Sequence, residues 1–138
     1  MTAILTSQSE SAPSAGQAYQ QALQLTLQQA VSCHEANQLP EAEQLYRAVL
    51  QAQPEFPQAN HNLGVLLLEW QKYEASLPHF EAALAANPES QRYWLSYIDA
   101  LILAGQAETA LRTLAFGREH GLEGDEVEAL ARVLEAGE

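Results

Sequence analysis

The chain repeats itself at a fixed interval, and that interval constrains its fold more than any other feature. Pro54 and Pro88 lie 34 residues apart, and the same step lays Ala30 over Gly64, Ala42 over Ser76 and Ala110, and Tyr46 over Phe80 and Leu114. It also lays Val49 over Ala83 and Gly117, and Leu50 over Leu84. A period of this length, with apolar residues at helical spacing inside it, marks a stack of helical hairpins. No single hairpin buries its apolar side alone, so the units must lean on one another.

Within the period, breakers fix where helices start and stop. A first helix is expected from about residue 15 to residue 37, with Tyr19, Leu23, Thr26, Leu27 and Ala30 on its buried side. Pro40 suits the first turn of the next helix, where a missing N–H costs nothing, and Ala42, Leu45, Tyr46 and Val49 follow. In the second hairpin Leu63, Leu66, Leu67 and Trp70 form one stripe, while Val65 and Leu68 form another. Two stripes call for two neighbours. Gly64 is unfavourable in a helix by about 1 kcal/mol against alanine, which a close helix crossing would explain, with Ser76 and Phe80 on the facing helix. Pro78 stands inside that facing helix and predicts a local bend or a lost backbone bond.

The third hairpin starts near Ser90 and carries Trp94, Tyr97, Ile98 and Leu101, a turn at Gly105, then Ala110, Leu111 and Leu114. Gly121 and Gly124 end it. Asp125 with Glu128 reads as a capping box for a final helix over residues 125–136, whose face of Val127, Leu130, Ala131 and Leu134 predicts a lid over the apolar end of the stack. Residues 1–14, rich in Ser, Thr, Ala and Gln, read as a flexible arm in which Ile4 and Leu5 could fold back onto the body.

These repeats resemble the tetratricopeptide repeat family over roughly 100 of the 138 residues. Resemblance implies an all-α, right-handed solenoid of three hairpins (about 23–56, 57–90 and 91–124) plus a capping helix, seven helices in all, forming one domain over 15–136. Ile98, Arg118 and Leu122 depart from the family pattern, as terminal repeats do. In the family, first helices of successive hairpins line a concave groove. Carried over, the groove here is lined by Gln24, Leu27 and Val31, by Gln58, His61, Asn62, Val65 and Leu68, and by Arg92, Leu95, Ser96, Asp99 and Ile102. His61 is either a polar contact for a partner or a solvent-facing residue. A family subset clamps a peptide's terminal carboxylate. Asn62 matches that clamp and Arg92 offers a cation, but Leu27, Val31 and Ser96 stand where polar or basic residues are wanted.

The implied function is a non-catalytic scaffold that holds a partner's peptide or helix in the groove, with self-association possible. An alternative follows from the third repeat and the residues after it, RYWLSYIDALILAGQAETAL and GREHGLEGDEVEALARVL, which look like bacterial repeat regions preceding glycosyltransferase or sulfotransferase domains. There the chain would dock substrate or drive oligomerisation.

Direct chemistry finds little support. His34, His61, His79 and His120 show no i, i+4 pair, and the single Cys33 excludes both a CxxC metal motif and an internal disulfide. Cys33 shares a repeat column with Leu67 and Leu101 and reads as apolar filler beside His34, not as its nucleophilic partner. No phosphate-cradling loop, calcium loop or serine elbow is present, so no cofactor or metal is expected. With 18 acidic against 6 basic residues the net charge is −12, which repels nucleic acid and anionic membrane surfaces. No run suits a membrane span or a secretory signal, so the expected address is the cytoplasm.

Overall fold

The computed structural model describes residues 12–137, and among these every regular element is a helix. In chain order these are α1 (Ala15–Glu35), α2 (Leu39–Ala52), α3 (Pro57–Glu69), α4 (Tyr73–Ala86), α5 (Gln91–Leu103), α6 (Ala107–Glu119) and α7 (Asp125–Ala136). Antiparallel pairs α1–α2, α3–α4 and α5–α6 form three hairpins, and α7 packs on α5 and α6. Among the described residues each helix touches only those one or two places away in the chain. The architecture is thus an all-α solenoid. None of these helices is long and apolar enough to cross a membrane. Ile4 and Leu5 of the expected arm lie outside the described residues.

The turns inside the hairpins are copies of one another. Asn37, Gln71 and Gly105 stand 34 residues apart, and all three adopt positive φ, at 63°, 62° and 78°. Around each, the same two backbone bonds close the helix, Asn37 N–H to His34 and Gln38 N–H to Cys33 in the first hairpin, with equivalents in the other two. This stop satisfies two carbonyls that a helix end leaves orphaned. Asparagine, glutamine and glycine occupy the left-handed position in turn, so backbone geometry is repeated where side-chain identity is not.

The turns between hairpins are fixed from the next helix. Asn60 Nδ2 donates to the Pro54 carbonyl at 3.0 Å, and one period later Trp94 Nε1 donates to the Pro88 carbonyl at 2.7 Å. Different side chains thus do one job. The last such junction differs: Leu122 replaces the proline, and Leu122 N–H closes onto Gly117 in a glycine-terminated stop at Gly121, φ 99°.

Packing divides into two apolar clusters. One gathers Leu23, Leu27, Ala30, Tyr46, Val49, Leu63 and Leu67 from α1 to α3. The other gathers Trp94, Ile98, Leu101, Leu114 and Leu122 with Val127, Ala131 and Leu134 of α7, so the last helix does cover the apolar end. Gly64 makes the expected close crossing. A Cβ built there would stand 2.8 Å from the Phe80 ring, and Ser76 lies fully buried on the same facing helix. α4 continues through Pro78, which has no N–H to return to the preceding turn.

Two expectations are corrected. Tyr19 is exposed rather than buried, because it reaches along the surface to donate its hydroxyl to Ala52. Asp125 and Glu128 form no capping box. Gly124 precedes α7 at φ 125° without a capping side chain, and Glu128 instead takes both oxygens to Arg118 at 3.0 Å. The capping box lies at the other end of the chain, where Ser14 and Gln17 exchange side-chain bonds at the start of α1.

Candidate functional site

Successive first helices lie side by side, and two hydrogen bonds set their register. His34 Nε2 meets Glu69 at 2.7 Å, joining α1 to α3, and His61 Nε2 meets Ser96 Oγ at 2.8 Å, joining α3 to α5. Each pair is 35 residues apart. A carboxylate only accepts, so His34 donates from Nε2. Its Nδ1 lies 3.0 Å from the Tyr46 hydroxyl, which ties α2 into the same chain of bonds.

The concave side holds two adjoining hollows of about 600 Å³ each. The first is walled by Gln24, Leu27, Gln28 and Val31 of α1, by Gln58, His61 and Asn62 of α3, and by Arg92 and Tyr93 of α5. The second continues along Val31, His34, Asn62, Val65, Glu69 and Arg92. Val31, Asn62 and Arg92 belong to both, so the two form one central depression. The chemistry along it is mixed. Amide side chains line its walls, two valines give it apolar patches, the exposed Arg92 supplies a cation, and Glu35 and Glu69 lie at the far end.

His61 is neither of the two things its sequence position allows. It is 2% exposed, stacked on Tyr93 with ring centroids 4.8 Å apart and edge-on to Phe80 at 5.5 Å. Burial lowers its pKa from 6.5 to about 4, and the Arg92 charge pushes the same way, so it is neutral at pH 7. It therefore forms the floor of the depression and fixes α5 against α3. Tyr93, buried beneath it, was not legible as part of this wall, because only the rotation between hairpins brings it under His61.

The remaining residues of the implied groove separate. Leu27 is mostly core at 5% exposed and contributes only an edge. Leu95, Ser96 and Asp99 line a third hollow of about 370 Å³, shared with Glu126, Ala129, Leu130 and Val133 of α7. Leu68 lines none of these hollows, and Ile102 packs against the second apolar cluster. Among the described residues no group of three His, Cys, Asp or Glu side chains is placed to hold a metal ion. Cys33 is half-buried against the first apolar cluster, as its repeat column implies.

The family model of the tetratricopeptide repeat matches residues 67–134, the stretch running from the end of α3 through α7. Over that stretch the chain is built of tetratricopeptide repeats. Solved tetratricopeptide structures agree in fold. The first TPR of Spaghetti (RPAP3), bound to HSP90 peptide SRMEEVD, superposes with a TM-score of 0.75 at 15% identity, covering 85% of this chain and 93% of that one. MamA from Desulfovibrio magneticus RS-1 superposes at 0.63 with 20% identity, over 78% of this chain and 55% of that one. A Thermobaculum terrenum O-GlcNAc transferase mutant superposes at 0.62 with 25% identity, over 70% of this chain but 19% of the transferase. This chain therefore spans little more than half of MamA and a fifth of the transferase. No curated protein matches its sequence.

Proposed function

We propose that this chain is a non-catalytic scaffold that holds an extended peptide segment of a protein partner across the central depression. One observation carries the reading: three first helices direct Gln24, Gln28, Gln58, Asn62 and Arg92 onto one concave surface. Amide side chains both donate and accept, so they can pair with the unsatisfied backbone of an extended strand. Val31 and Val65 offer apolar contact between them, and Arg92 suits a carboxylate on the peptide. The Spaghetti repeat, whose fold this chain shares, is bound to a peptide ending in acidic residues and valine.

The test is capture from lysate by the intact chain beside an Asn62→Ala/Arg92→Ala variant, with identification by mass spectrometry and titration of the captured peptide. Loss of affinity by tenfold or more, with helical content unchanged, supports the depression as the site. Unchanged affinity moves the interface elsewhere. A second reading, a docking region for a glycosyltransferase, rests on the likeness to the Thermobaculum enzyme, and a catalytic domain encoded after Glu138 would favour it.

A further inference from the structure

The hollow between α5 and α7 has a different character from the central depression, and α7 shows why. Its core side is Val127, Ala131 and Leu134, all buried. A second stripe, Glu126, Ala129, Leu130 and Val133, runs at i, i+3, i+4 and i+7 and faces the hollow. Val133 is 54% exposed. A helix with two stripes and one packed side has room for another neighbour. From Glu126 to Val133 the stripe extends about 10 Å, two helical turns.

Leu95 on α5 completes an apolar floor with Leu130 and Val133. Acids stand at its edge. Asp99 and Glu126 have no ion pair or side-chain hydrogen bond among the described residues, and loss of water raises the Asp99 pKa above its ordinary value. A second copy of this chain, also at −12, would bring acid against acid, whereas a cationic partner would relieve the unpaired carboxylates. We propose that the α5–α7 hollow docks a short basic amphipathic helix, its apolar residues on Leu95, Leu130 and Val133 and its lysines or arginines against Asp99 and Glu126. This site is independent of the peptide reading for the central depression.

Three labelled helical peptides of about 14 residues test it by fluorescence anisotropy. One has leucines at i, i+4 and i+7 flanked by lysines, one keeps the leucines with glutamates for lysines, and one scrambles the first. The first alone should bind. Val133→Asp should weaken it roughly tenfold or more, Asp99→Asn/Glu126→Gln should weaken it and flatten its salt dependence, and Asn62→Ala/Arg92→Ala should leave it unchanged. Equal binding by the scrambled peptide would show attraction by net charge alone and overturn the proposal. So would equal binding by the acidic peptide, no binding at all, indifference to Val133→Asp, or concentration-dependent self-association that Val133→Asp abolishes. The exposure of Val133 keeps the variant foldable, which circular dichroism checks.

Discussion

The second and third hairpins share a backbone plan and solve their packing in opposite ways. In the second, the first helix is cut back to Gly64 so that the Phe80 ring of the return helix can lie against its backbone. In the third, the same columns hold Ile98 and Leu114, and the small residue has moved to the return helix: a Cβ on Gly117 would meet Leu122 at 2.8 Å and Trp94 at 3.2 Å. Bulk is conserved across each pair while its ownership changes. The difference follows from position in the stack. The second hairpin has a hairpin on each side, whereas the third needs Leu122 and α7 to close it, and Gly117 makes the room they use.

Removing that closure should have the largest effect. Deleting residues 125–138 strips Val127, Ala131 and Leu134 from the second cluster, roughly 4–6 kcal/mol of apolar burial, comparable with the whole stability of a small domain. Urea unfolding should show the loss, and size-exclusion chromatography should show dimers or aggregates. A truncated chain that stays monomeric and equally stable would break the contrast between the hairpins. Next is Gly64→Leu, expected to cost about 3 kcal/mol by overpacking against Phe80. Gly64→Ala is the milder form, and combining it with Phe80→Leu should recover stability, since that pair approaches the third hairpin's arrangement. A double-mutant cycle showing simple additivity would deny the exchange of bulk.

The contact between the two hairpins should answer to pH. Folded His61 titrates near 4 against 6.5 when free, so the unfolded chain binds the proton first as pH falls. Stability from this group is present above about 6.5 and lost toward 4, on the order of 3 kcal/mol. Burial lowers the His79 pKa as well, in the same direction. His61→Gln should therefore shallow the acid limb of a denaturation series without abolishing it. An identical limb would mean that His61 does not report the α3–α5 contact. The smallest effect belongs to Trp94→Phe, about 1 kcal/mol for the bond to Pro88, whose exposed position leaves the carbonyl near water. Thermal melts would register it.

Much of this architecture was legible because the period itself encodes it. Tyr46, Phe80, Leu63 and Leu67 fall in buried columns, and the stop near residues 37, 71 and 105 follows from the same spacing. The site was legible only as a set of candidates on first helices. The angle between neighbouring hairpins decides what each candidate meets, and no periodicity states an angle. His61 and Asn62 are neighbours in sequence, yet one is buried in a stack with Tyr93 and the other lines the open surface. The second stripe of α7 was missed for a related reason, since Glu126 and Ala129 look like solvent positions until Leu95 is placed opposite.

Contacts that reach no further than the second helix along have a mechanical meaning. Nothing among the described helices latches the beginning of the stack to its end. Under tension applied at the two ends the molecule should behave as a short spring that pays out in hairpin-sized steps, each releasing its own length of chain while the rest stays wound. A partner seated across α1, α3 and α5 would act as a splint, turning several small yield points into one larger one.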